Sequence, residues 1–256
     1  MPADPDPAAD PAARTPSRSY GSPSQAARAA VADAFGVPAF VLGATYLGFG
    51  ALVREADLNV WLGLFSTATG WALPGQIALV ELYSVGAGVL AIAIAVGLTN
   101  ARLLPMAVTL VPILRSEGTP RWRYYLFAHF IAVTGWAAAL RVCPHIPRPE
   151  RLPYFAAFAA TLWATTLCAT AAGFFLAGIV PAYVTLGLIF LNPIYFMLVF
   201  AADVRKPPRV AALVLGALLG PLIHLASPDW SLMLTGLIGG SLAFLGWKLW
   251  GGRHAR

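Results

Sequence analysis

The chain has 256 residues and a formal net charge of +6; 59% of its residues are hydrophobic and only 11% charged, and its mean hydropathy is +0.72. Ordinary globular domains carry roughly 25% charged residues, so a water-soluble fold of this size is excluded, and apolar runs long enough to span a bilayer recur along the chain. The basic excess does not mark a nucleic-acid binder. It falls in short clusters between apolar runs, as cytoplasmic loops carry it, and the two cysteines, Cys143 and Cys168, make neither a disulfide framework nor a metal site.

Residues 1–33 read as a disordered tail. Six prolines fall within the first 23 residues, among Ala, Asp and Ser, and such a segment buries too little to offset the entropy of ordering. It lacks the basic start and apolar core of a cleavable signal peptide, so the first span is expected to act as an uncleaved insertion signal. Residues 34–251 form the transmembrane domain, and 252–256 a short basic tail.

Within that domain the apolar segments run roughly 35–53, 58–80, 85–114, 122–140, 153–177, 182–202, 209–225 and 230–250. The expected fold is all-α: a polytopic helical membrane protein of about seven or eight transmembrane helices, some broken near the midplane. With both termini in the cytoplasm, most basic clusters fall on the inner side. The cluster Arg115, Arg121 and Arg123 then falls on the wrong one.

Three segments carry helix breakers at their centres. The second reads Ser66 to Gln76 through Gly70, Pro74 and Gly75; the third holds Gly97, Asn100, Arg102 and Pro105; the sixth holds Asn192 and Pro193. Proline removes a backbone donor and clashes with the preceding turn, and freed backbone at membrane depth persists only inside protein or along a wet cavity. Broken helices near the midplane are binding elements in many secondary transporters. A two-half arrangement, with the break at Pro74–Gln76 answered by the one at Asn192–Pro193, would fit an inverted repeat, although no residue-level match joins the halves.

Arg102 is the sharpest feature. An arginine at a helix centre costs about 2.5–3.5 kcal/mol on insertion scales, so it must face an internal cavity or find partners: Glu81, freed carbonyls, or a bound carboxylate gripped by the guanidinium fork. Asn100 and Gln76 offer donors and acceptors to a substrate, or to neighbouring helices. Ser66, Thr67 and Thr69 can bond back to their own helix. His129 has the right intrinsic pKa for proton relay but lies in an aromatic run where packing is the commoner role. Trp122, Trp230, Trp247 and Trp250 sit at segment margins, as interfacial anchors do. No Walker A sequence, GxSxG or paired acid–base motif appears, so an enzyme is not expected, and no cofactor is implied.

The order of motifs, Ala72-Leu-Pro-Gly-Gln-Ile77, then Thr99-Asn-Ala-Arg-Leu-Leu-Pro105, then the helix Tyr154–Trp163, resembles the AzlC family, the large subunit of branched-chain amino acid exporters. The resemblance covers about residues 34–250. It implies an inner-membrane permease exporting branched-chain or similar apolar amino acids, with a small AzlD-like membrane protein as partner. Carried over, Gln76, Asn100 and Arg102 answer the family's Gln and its Asn-x-Arg. With Pro74, Gly75 and Asn192 at the breaks they form the expected substrate site, and Glu81 and His129 are the candidates for proton relay. Three departures stand out: Leu103 replaces the family's usual His, the helix around Thr134–Gly135–Trp136 lacks the Asp-Glu pair often found there, and Pro74 and Gly75 replace the commoner Gly-Ala-Ser run. Gly236, Gly239, Gly240 and Ser241 could pack against the partner or against this protein's own helices. The alternatives are a non-transporting or regulatory membrane subunit and a transporter of another small organic substrate.

Overall fold

A computed structural model describes residues 18–177, 179, 181–201, 207–226 and 231–250. The start of the expected tail and the basic tail 252–256 lie outside the described residues, as do Trp230 and the side chains of Asn192, Trp247 and Trp250. The described chain is helical, as expected of a membrane protein of this composition.

Helix α1 (Pro23–Ala34) corrects the boundary of the tail. Ser22 caps it by accepting from Gln25 N, and Pro23 opens it without losing an intrahelical bond. Ala26, Ala30 and Ala34, one per turn, are fully buried, and the helix packs on α9 (Arg148–Leu176). Ahead of it, Ser19 Oγ and Tyr20 N donate to the buried Glu150 carboxylate at 2.7 and 2.9 Å, and Tyr154 OH donates to Asp33 at 2.7 Å. Composition misses this because alanines look featureless until a partner helix covers them.

Helix α2 (Val37–Glu55) and α9 form the central pair. Their backbones touch: a Cβ on Gly50 would strike the Thr170 carbonyl, and one on Gly173 the Leu47 carbonyl. On another side of α2, a Cβ on Gly48 would come within 2.9 Å of the Thr185 carbonyl of α10 (Ala182–Ala201). Among the described residues α2 and α9 are each long and apolar enough to cross a membrane. Helices α5 (Val89–Asn100) and α6 (Leu103–Leu114), bent by 46° at Ala101–Arg102, make a third candidate span.

Two expected crossings are hairpins instead. Segment 58–80 divides into α3 (Val60–Gly70) and α4 (Leu73–Ser84). Helix α3 starts beside the end of α2, with Gly63 against Val53, and descends antiparallel to α9, where Thr67 meets Thr170 and Trp71 Nε1 donates to Thr166. Helix α4 runs antiparallel to α5, with Gly75 against Asn100. Helix α5 continues through the bend into α6, whose Ile113 carbonyl reaches Arg151 at the far end. With Gln76 back beside Ser66 and Thr67, α4 therefore returns toward the end from which α3 came. Segment 122–140 divides into α7 (Arg121–Ala128) and α8 (Val133–Val142). Helix α7 starts beside Leu152 and Pro153 and follows α9 until Phe130 meets Trp163. Helix α8 comes back past Phe155, and Cys143 beyond it reaches Arg151. From Arg151 to Trp163 is twelve residues, about 18 Å of helix, too little for a crossing.

This geometry resolves the misplaced charge. Arg115, Arg121, Arg123, Arg141 and Arg148 gather at one end of the molecule because α7–α8 enters and leaves there. Arg151 does not belong with them: it is 1% exposed and donates to the carbonyls of Ile146 and Ile113 at 3.0 and 3.1 Å. The expected break at Asn192–Pro193 is absent, since α10 runs through it without interruption, and an unforeseen one lies at 129–132. The kink residues themselves do not tell a bend from a reversal. Helices α11 (Pro207–Ala226) and α12 (Ser231–Trp250) pack on each other; Gly239 of α12 rests on α11, whereas among the described residues nothing lies within 4 Å of a Cβ added at Gly236 or Gly240.

Thiol labelling checks the hairpin. Burial pushes the Cys143 thiol up to about 12, so it carries almost no reactive thiolate at neutral pH and only Cys168 needs replacing. In that background Glu117→Cys and Arg141→Cys should both react with an impermeant maleimide from one face of the membrane, and Glu55→Cys from the other. Labelling of positions 117 and 141 from opposite faces would restore a crossing.

Candidate functional site

The tips of the two hairpins meet at the centre. His129 Nε2 donates to the Ala68 carbonyl at 2.8 Å, and Trp163 Nε1 donates to the same oxygen at 3.2 Å; a carbonyl can only accept, so the imidazole proton resides on Nε2. Together they satisfy a carbonyl in the last turn of α3. Phe130 stands edge-on to both Trp71 and Trp163. Trp71 sits at φ 21°, ψ 44°, a backbone position that costs a non-glycine residue energy, and its buried indole, bonded to Thr166, holds it there.

A cavity of about 600 Å³ lies at this junction, within the range of small-molecule sites. Helix α4 lines it with Pro74, Ile77, Ala78 and Glu81, one face at helical spacing. Trp71–Leu73 ahead of that face, Leu42 and Tyr46 of α2, Arg102, Leu103 and Met106 at the bend, Ala132–Thr134 at the start of α8, and Ile189 and Phe190 of α10 complete it.

Its electrostatics are one-sided. Helices α4 and α8 both begin on the cavity wall, at Ala72–Leu73 and Ala132–Val133, and no side chain caps either start. They run to opposite ends of the molecule, so their N-termini face each other, each with first-turn N–H groups and the positive end of a dipole. Arg102 adds a full positive charge, and among the described residues its buried Nε has no hydrogen-bond partner. Glu81, the carboxylate on the wall, is seven residues along α4 from Pro74, about 10 Å of helix. The centre is therefore positively polarised, with mostly apolar surroundings.

The remaining expected residues fall behind the wall. Gln76 is 3% exposed; its Oε1 accepts from Tyr46 OH at 3.0 Å, and its Nε2 donates to Ser66 and Thr67 at 3.1 and 2.9 Å. It ties α2, α3 and α4 together and has little capacity left for a substrate. Asn100 packs on Gly75, where an added Cβ would meet its Oδ1 at 2.6 Å, and that oxygen is buried without a partner. His129 joins the hairpin tips and does not line the cavity. Sequence reasoning missed Trp71, Ala132, Val133 and Tyr46 as wall residues, and marked Thr134 only for the acidic pair absent around it. Only the hairpin geometry brings them to the wall, although a tryptophan followed by Ala-Leu-Pro was a signal for a helix restart.

Gln76→Ala should lower thermal stability by about 1–3 kcal/mol, the cost of stranding buried hydroxyls, with little change in substrate KM for the molecules that fold. A large rise in KM at unchanged stability would instead put Gln76 on the substrate.

A family model described as AzlC protein matches residues 38–180, more than half of the chain, from α2 to just past α9. It covers both hairpins and the bend, and stops short of the expected extent to about residue 250. No curated protein and no solved structure matches.

Proposed function

The chain belongs to the AzlC protein family and is a membrane protein related to branched-chain amino acid transport; from that premise we propose that it exports branched-chain or similar apolar amino acids across the inner membrane as a secondary transporter. The observation that carries this reading is the convergence of Arg102 and two uncapped helix N-termini on one largely apolar cavity. The substrate carboxylate binds at that positive centre. The aliphatic side chain lies against Ile77, Ala78, Leu103 and Met106, where burial gains about 25 cal/mol per Å². Pro74 and Gly75 hold the start of α4 in place, Gly75 by letting Asn100 approach, and Gln76 braces the wall from behind. Asn192 remains part of the proposed substrate set.

Glu81 takes up the coupling proton in this scheme, because it is the carboxylate that shares the cavity with Arg102. His129, a second relay candidate, would act through the contact between hairpin tips. A small AzlD-like membrane protein is the proposed partner. The bias of positive charge toward the cytoplasmic side supports a cytoplasmic arginine-rich end; the N-terminus and the C-terminus are both proposed to lie in the cytoplasm.

A second reading has its own support. The departures from the family pattern reach the cavity wall: Leu103 stands there for His, Pro74 opens the altered run, and Thr134 belongs to the stretch that lacks the Asp-Glu pair. A wall stripped of those groups fits a different small organic acid, or a subunit that no longer couples transport to protons. Efflux of labelled valine, leucine and methionine from cells lacking their own exporters, with and without the co-expressed partner, decides between them. Faster efflux of any of the three with the pair supports the exporter. Unchanged efflux, with both proteins verified in the membrane, moves the function to the second reading.

A further inference from the structure

A groove of about 180 Å³ separates α7 from the first turns of α9. Trp122, Leu126 and Phe127 form one wall and Leu152, Pro153 and Ala156 the other, and Arg123 is the charged residue among them. The groove lies where the hairpin α7–α8 enters the protein, at the end that gathers Arg115, Arg121, Arg141 and Arg148. The carboxylates between residues 103 and 152 are Glu117 and Glu150, and Glu150 is buried and taken up by Ser19 and Tyr20. Trp122 is 59% exposed and Tyr125 80% exposed, and the Arg123 guanidinium lies 5.7 Å from the Trp122 ring. An apolar cleft beside a guanidinium and an indole, in a strongly positive neighbourhood, matches an amphiphile with an anionic head.

We propose that this groove holds an anionic phospholipid, with its phosphate on Arg123 and part of one acyl chain between α7 and α9. A guanidinium presents a planar fork that grips two phosphate oxygens. Trp122 and Tyr125 are residue types that settle at headgroup depth, and basic pockets among membrane helices on the cytoplasmic side recognise anionic headgroups. The chain displaces nothing polar, because the remaining groove residues are apolar. Helix α7 leads directly to the tip formed by 129–132, beyond which Ala132–Thr134 line the central cavity. A lipid wedged against α7 therefore braces the wall that carries one of the two facing helix N-termini. This holds whether or not the substrate is an amino acid.

The test is the thermal stability of the purified full chain in a neutral detergent, with phosphatidylglycerol, phosphatidylcholine or inorganic phosphate added. Phosphatidylglycerol should raise Tm by about 5 °C over phosphatidylcholine, as a ligand selective for the folded state does, and inorganic phosphate should not. Arg123→Gln should remove at least half of that difference. Ala156→Leu, which fills the groove and leaves every charge in place, should do the same. Equal shifts in both variants and the unmodified chain overturn the proposal. A loss confined to Arg123→Gln overturns the acyl seat, because charge screening alone explains it. A shift with inorganic phosphate, or a phosphatidylglycerol effect that vanishes when a small partner protein is co-purified, likewise overturns it and assigns the groove to an ion or to that partner.

Discussion

Arg102→Ala should abolish substrate efflux while the protein still inserts, folds and keeps its Tm. The two halves of this expectation come from the same fact. Among the described residues Arg102 Nε has no hydrogen-bond partner, so truncation breaks no hydrogen bond at that atom and removes a buried polar atom whose desolvation costs about 1–3 kcal/mol when unpaired. Stability should be unchanged or higher. The substrate carboxylate, by contrast, would lose two charge-assisted bonds worth roughly 1.5–3 kcal/mol each, a fall in apparent affinity of about a hundredfold or more. The helix N-termini of α4 and α8 remain, so a little saturable binding at high substrate should survive. Arg102→Lys keeps the charge and loses the fork, and should fall between the two. Efflux at the unmodified rate in Arg102→Ala would remove the arginine from the site; a collapse of stability would make it a structural residue whose partner forms only in the bilayer.

The second large effect lies in the helix pair that supports everything else. Gly50→Val and Gly173→Val should each prevent folding, read as loss of the monodisperse species in detergent. An added Cβ at either glycine runs into a backbone carbonyl of the facing helix, and a backbone cannot rotate away as a side chain can. Without a hydrophobic force between helices in lipid, close approach of backbones through small residues is what drives their association. Forcing α2 and α9 apart should cost on the order of 4 kcal/mol or more. It would also break the Thr67–Thr170 and Trp71–Thr166 contacts that hang α3 on α9. Two controls bound the claim. Gly97 has nothing within 4 Å of an added Cβ, so Gly97→Ala should be neutral or stabilise by up to about 1 kcal/mol through helix propensity. At Gly75 the nearest atoms to an added Cβ belong to the movable amide of Asn100, so Gly75→Ala should fold but transport less well. Normal folding of the valine variants would mean that the two helices are not in backbone contact.

The amino-acid sequence alone determined that this is a helical membrane protein, because too few charges remain to solvate its surface and the apolar runs match a bilayer. It also marked Arg102, since an arginine flanked by Leu98 and Leu103 is costly wherever it sits, and it showed the resemblance to the family. Two of its three predicted breaks exist, beside Pro74 and at Arg102. What the sequence did not carry was direction. A proline or a polar pair tells where a helix ends, but whether the chain continues or doubles back depends on what the next helix packs against. Only the tertiary structure turned 58–80 and 122–140 into hairpins, through contacts such as Gly63 with Val53 and Cys143 with Arg151, and so brought two helix N-termini face to face. Tertiary contacts also decided which polar residues were spoken for. Gln76 and Asn100 look alike in sequence, yet one amide is filled by three neighbours and the other keeps a buried oxygen without a partner. That difference depends on which hydroxyls lie within about 3 Å, a matter of packing between segments that no local pattern encodes.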